Sequence, residues 1–148
     1  MLPTTTLRRC CFLIFVCLGL VGCGSDTIPD NAETRMYAIA EAYCNLQDMP
    51  GGKPPATLDE LRTMLTEFHQ AGMGRDPEQM LRSPRDGQPF VIILGQHVSL
   101  QGGDDIWIYE KEGAEGFRYV MNLNRAVKQV PNEDFAQATF VKGHKPEL

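Results

Sequence analysis

The chain has 148 residues, 43% of them hydrophobic, with 14 Lys+Arg against 19 Asp+Glu and a formal net charge of −5 at pH 7. That size suits one domain built around one core. The acidic balance argues against nucleic acid, and against an anionic membrane surface, as partners held by overall charge.

The first stretch reads as an address rather than a fold. Arg8 and Arg9 make a short positive region, and no acidic residue precedes Asp26. Cys10 to Val21 is apolar apart from Gly19. As a helix this run reaches ~18 Å at ~1.5 Å per residue, short of the ~30 Å hydrocarbon core. A secretory signal fits that length and a spanning helix does not. The run ends in Leu20-Val21-Gly22-Cys23, which resembles the lipobox of bacterial lipoproteins: an aliphatic residue, two small or modest ones, and the cysteine that receives diacylglycerol. The resemblance implies cleavage before Cys23, lipid on Cys23, and a membrane partner reached through that lipid. One acyl chain binds marginally, at about 0.8 kcal/mol per buried methylene, whereas two or three hold firmly. Gly24 stands where that family places an aspartate for inner-membrane retention, which implies an outer-membrane or outward-facing destination. Gly24 to Asp30 is small and polar. The expected division is a signal peptide over 1–22, a tether over 23–30 and a single α+β domain over 31–148.

Losing residues 1–22, and with them Arg8 and Arg9, takes the formal charge from −5 to −7 and removes Cys10, Cys11 and Cys17. With Cys23 lipidated, only Cys44 remains. Export normally permits disulfides, yet this domain cannot close one internally, so packing must hold it together.

Asp30 or Asn31 can cap a first helix reaching about Gln47, with Met36, Ile39, Ala40, Tyr43 and Cys44 as its apolar stripe. Cys44 on that stripe reads as a buried structural thiol rather than a nucleophile. Pro50-Gly51-Gly52-Lys53-Pro54-Pro55 ends the helix. Thr57 with Glu60 forms a capping box for a second helix to about His69, whose predicted buried face is Leu58, Leu61, Leu65 and Phe68. Ala71-Gly72-Met73-Gly74 breaks it, and Asp76-Pro77 starts a turn or two more.

From Ser83 the period changes. Pro84-Arg85-Asp86-Gly87 is a turn, and Phe90 to Leu94 reads as a strand. Asp105 to Glu110 alternates as a second strand, which sets Trp107 and Tyr109 on the face opposite Ile106 and Ile108. Gly113 to Gly116 loops into a third strand, Phe117 to Met121. Asn124-Arg125 turns the chain into a fourth, Ala126 to Val130. Asn132 to Phe135 opens a final short helix. Helices first and hairpin-linked strands second predict an α+β fold with a three- to four-stranded antiparallel meander.

Two segments resemble the globular part of type II secretion pseudopilins and related type IV pilin-like proteins. Pro55-Ala56-Thr57-Leu58-Asp59-Glu60-Leu61 matches their "proline, then Leu-x-x-Leu" segment, and Ser83 to Phe90 matches Pro-x-Asp-x-Gly-x-Pro-aromatic. Gly116 to Val127 looks like their closing hairpin, with Asn124-Arg125 where that pattern has Asp-Gly. The resemblance implies a pilin-like head. A lipobox in place of a prepilin peptidase site implies a head on a lipid tether rather than a filament subunit.

Chemistry-bearing patterns are sparse. His69, His97 and His144 fall in no metal-binding spacing, and His69 at a helix end complements the dipole. Serine-nucleophile and phosphate-loop motifs do not occur. Asp104-Asp105, after Gly102-Gly103, offers hard oxygens to calcium, which needs 6–8 of them; calcium in a late-strand loop is also what the pilin-like resemblance implies. A solvated hairpin loop explains the same residues. Glu110, Lys111, Glu112 and Glu115 read as a solvated edge. No catalytic residue, cofactor or metal ligand is assigned. The reading is a lipid-anchored, non-enzymatic structural or interaction module of the cell envelope, with an envelope protein as partner. The alternative is a calcium- or small-ligand-binding lipoprotein using Asp104 and Asp105.

Overall fold

The structure is a computed structural model and describes residues 29–141 and 143–146. The signal segment, Cys23 and most of the tether lie outside the described residues.

Helix α1 spans Ala32–Asp48. Asn31 rather than Asp30 caps it: the Asn31 Oδ1 accepts from the Thr34 backbone N–H at 2.9 Å, and the Thr34 hydroxyl accepts from the Asn31 N–H at 3.1 Å. Two orphan donors of the first turn are thereby satisfied reciprocally. Asp30 pairs instead with Arg35. The Arg35 guanidinium also donates to the carbonyls of Gln79 at 2.6 Å and Arg82 at 2.9 Å. These lie at the end of α3 (Pro77–Met80), where unsatisfied carbonyls favour a cation. Met36, Ile39, Ala40, Tyr43 and Cys44 are all buried, as the spacing predicts.

Helix α2 spans Leu58–Gln70. Thr57 caps it as expected, but Glu60 reaches one residue further back than a capping box requires, to the Ala56 N–H at 2.9 Å. Its buried residues are Leu61, Met64 and Leu65, whereas Leu58 is 39% exposed. The expected face is therefore displaced by part of a turn: Met64 takes the place given to Leu58. The helix ends in a Schellman arrangement. Gly72 has φ +73°, its N–H bonds His69 O at 3.0 Å, and the Met73 N–H bonds Phe68 O at 2.9 Å.

Four antiparallel strands follow, in the order β1-β2-β3-β4: β1 Val91–Ile92, β2 Ile106–Tyr109, β3 Phe117–Asn122 and β4 Val127–Pro131. The fold is thus α+β with a meander, as the order of periodicities predicts. Strand β1 is shorter than expected because, after the Ile93 N–H bonds Trp107 O at 2.8 Å, the chain leaves the ladder for side chains of α1. The Tyr43 hydroxyl donates to Gln96 O at 2.8 Å and accepts from the Gln96 N–H at 2.9 Å. The Gln47 amide bonds both the carbonyl and the N–H of Val98 at 3.0 Å. An irregular segment that buries Val98 keeps its backbone satisfied in this way.

Strand β2 departs from simple alternation. Ile106 pairs with Asn122 and Ile108 with Met121, so two steps on β2 oppose one on β3. That is a β-bulge at Trp107, which re-aims the side chains around it. Trp107 and Ile108 both join the main core with α1, while Ile106 and Tyr109 join a second cluster with Val120 and Phe135. Neither predicted face survives, and all four residues are buried. The second sheet face is closed by α4 (Asn132–Phe135) and by Ala138 and Phe140.

Both hairpins use left-handed backbone. Glu115 and Gly116 have φ +56° and +85° and join paired Ala114 and Phe117, a two-residue loop of the I′ kind. At the next turn Arg125 has φ +66°, a position that ordinarily favours glycine, and its guanidinium reaches Glu41 on α1 at 3.0 Å.

The displaced face of α2 separates two leucines by burial. Leu61→Ala is expected to destabilise the domain by about 3 kcal/mol, against under about 0.5 kcal/mol for Leu58→Ala. Urea denaturation of both variants checks this; similar losses would restore the face read from spacing.

Candidate functional site

Asp104 lies in the turn before β2, with its side chain 78% exposed. Its Oδ1 accepts from Lys128 Nζ at 3.1 Å, Asn122 Nδ2 at 3.1 Å and Asn124 Nδ2 at 3.3 Å. The Lys128 hydrogen bond and charge, with help from the two amides, hold its carboxyl below the usual carboxylate range. The strands thus bring nitrogen donors and an ammonium to Asp104, and these compete with a cation rather than assist one. Among the described residues no group of three or more His, Cys, Asp or Glu side chains converges as a metal site would.

The charged residues of the β2–β3 loop separate into two kinds. Lys111, Glu112 and Glu115 lie at or near the surface, as a solvated edge requires, but Glu110 is fully buried. The correction has a clear cause. The turn Pro84-Arg85-Asp86-Gly87 folds over the hairpin and brings its own partners for that carboxylate. Glu110 Oε2 meets Arg85 Nη1 at 2.6 Å and the Tyr119 N–H at 2.8 Å, while Oε1 accepts from the Ser83 hydroxyl at 2.5 Å. Arg85 also stacks over Phe117, 4.1 Å from the ring centre, and donates to Ala114 O. Asp86 Oδ2 accepts from the N–H groups of Glu112 and Gly113 at 3.1 and 2.8 Å. Sequence reading recovers this segment only as a turn. The available signal is an arginine and an aspartate within it, with no way to know which acid lies opposite.

The histidines stay apart. His69 is exposed, with Nδ1 3.0 Å from Gly74 O. His97 lies in the segment after β1 and is exposed. His144 Nε2 lies 2.9 Å from the Tyr109 hydroxyl, beside a cavity of about 300 Å³ lined by Phe90, Val91, Lys111 and Lys145. Cys44 is buried and free, and burial pushes its thiol pKa up, the opposite of what a nucleophile needs. Burial likewise pushes the Tyr43 phenol up to about 12. Trp107 and Tyr109 are 0% and 2% exposed, so neither lies on an open sheet face.

A third region sits where the chain enters the domain. Pro29, Thr34, Arg35, Met73, Arg75 and Met80 line a groove of about 400 Å³. Asp30 is held there by Arg35 at 2.7 Å and Arg75 at 3.5 Å, and the Arg35 hydrogen bond lowers its carboxyl pKa. Met73 is 70% exposed beside it. Among the described residues no helix is long and apolar enough to cross a membrane. Comparison of the chain with protein-family models, curated proteins and solved structures gives no match.

Removing one partner of a buried ion pair strands the other, so Glu110→Ala is expected to lose about 3–5 kcal/mol. Glu115→Ala, 3.9 Å from the same arginine but 80% exposed, should leave the urea midpoint unchanged; equal effects would mean that Arg85 is not held by Glu110. Calcium should leave the thermal midpoint where it is, as read by circular dichroism. A midpoint climbing with calcium concentration would reveal a site that binds the folded state and revive the ligand-binding alternative.

Proposed function

We propose that this chain is a lipid-anchored protein of the cell envelope and acts there as a non-enzymatic structural or protein-interaction module. The observation that carries the reading is Leu20-Val21-Gly22-Cys23 at the end of an apolar run too short to span a bilayer. Cys23 is the lipidation site and the membrane is the first partner. Gly24 after that cysteine favours an outer-membrane or outward-facing location.

The form of the domain supports this assignment. Its first described helix starts at Ala32, and the small, polar residues from Gly24 to Asp30 suit a spacer between it and Cys23. The domain has two sealed clusters, and its buried carboxylate belongs to an ion pair joining two loops. That is the work of a rigid presenting body.

A pilin-like head on a lipid tether is the finer form of the proposal. Supporting it are the order of a long helix, the Pro-Arg-Asp-Gly segment and an antiparallel meander. The left-handed backbone at Arg125 also matches the conformation that an Asp-Gly turn would adopt there.

Expression of the full chain in a lipoprotein-processing host, beside a Cys23→Ala control, tests the anchor by intact mass. Loss of residues 1–22 with a lipid-sized addition is expected, and the control should lack the addition. An unlipidated mature mass, or a retained N-terminal segment, would sink the proposal.

A further inference from the structure

We propose that the Gly72-Met73-Gly74 loop is the membrane-facing contact of the domain, with Met73 entering the lipid interface beside the tether. The inference rests on the anchoring of Cys23 proposed above and names the surface that the anchored domain then touches.

Position is the first argument. Six residue steps separate Cys23 from Pro29, and at ~3.3–3.6 Å each a fully extended tether spans about 20 Å. Pro29 itself lines the groove beside Met73. The chain therefore leaves its anchor and enters the domain at the wall that carries this loop. The opposite end of α1 lies ~25 Å along the helix from its start, from 17 residues at ~1.5 Å each. Gln47 there holds Val98, and Leu100 follows two residues later. Leu100 is 78% exposed, so exposure alone does not distinguish the two residues; nearness to Pro29, where the described chain begins, does.

Chemistry is the second. Met73 occupies the position after the left-handed glycine of the Schellman turn, where an apolar residue commonly packs back on the third residue from the helix end. That residue is Phe68, and it shares a shallow groove with Met73, Ala38, Glu41 and Asn45. Yet Met73 remains 70% exposed, so capping the helix does not account for its apolar side chain. Methionine is flexible and tolerant of irregular apolar surroundings.

Charge is the third. The tip Ala71-Gly72-Met73-Gly74 carries no ionisable side chain, although the molecule as a whole is acidic, and Asp30 in the adjoining groove is paired with Arg35 and Arg75. An uncharged tip enters a phosphate-bearing headgroup layer without carrying negative charge into it.

The test uses the lipidated full chain reconstituted in phosphatidylcholine–phosphatidylglycerol vesicles containing a lipid with a nitroxide near the headgroup. Met73→Trp and Leu100→Trp variants are compared, with the emission of the wild-type protein subtracted as the Trp107 background. Flotation with the vesicles reports the anchor independently. Both variants are expected to float. The indole introduced by Met73→Trp should emit blue-shifted and lose most of its intensity to the nitroxide, and the one introduced by Leu100→Trp should not. Flotation with the position-73 indole unquenched would overturn the proposal while leaving the anchor intact, and would turn the loop towards a protein partner instead. Equal quenching at the two positions would also overturn it, because the domain would then have no preferred face. Failure to float would remove the anchor, and the inference with it.

Discussion

The bulge at Trp107 is the constraint on which the rest of the architecture depends. A regular strand sends successive residues to opposite faces. Here one extra residue opposes β3, so Trp107 and Ile108 both serve the helical side. The indole is satisfied by Asn122 O at 2.9 Å and meets the Tyr43 ring edge-on, 4.7 Å between centres. Tyr43 can therefore present its hydroxyl to Gln96, and α1 becomes both the cover of the sheet and the support of the segment after β1. The same bulge returns Tyr109 to the far side, where Phe135 and Phe140 pack around it at 5.1 and 5.5 Å.

Without an internal disulfide, the loops of this domain are held by polar contacts of high geometric demand. Gln47 and Tyr43 replace strand pairing over residues 96–98. Arg85 and Glu110, with Ser83 and Asp86, lock the turn before β1 to the hairpin after β2. A buried ion pair is not itself a large source of stability, because desolvation offsets much of the attraction. Its value here is geometric: only one docking of that turn satisfies the carboxylate. Arg35 does comparable work at the start of α1, joining Asp30 to the end of α3.

Much of this is legible from residues alone, and the reasons are local. Asn31, Thr57 and Asp76 are short polar side chains that can reach an early helical N–H, and all three cap helices. The stripe on α1 follows from a 3.6-residue period. The later part of the meander follows from short strands whose connections, 110–116 and 123–126, are too short for a parallel crossover and leave antiparallel pairing. The lipobox resemblance and the short apolar run rest on consecutive residues in the same way. The departures are equally instructive: Leu58 sits on the correct period, but in the first turn of α2, where it is 39% exposed.

Local order, helix starts and ends, the α+β class and the lipobox resemblance at Cys23 were therefore determined by the sequence, because each depends on neighbours within a few positions. Tertiary structure alone decided which residues of β2 face which core, since a bulge depends on the register of the opposing strand. It also decided that Glu110 is buried, since Arg85 lies 25 positions away. It brought Lys128 and two asparagines to Asp104, and it placed Met73 beside Pro29. In each case a charged or apolar side chain acquires its meaning from a group distant in the chain, and burial, which sets the strength of every electrostatic contact, exists only once the elements have packed.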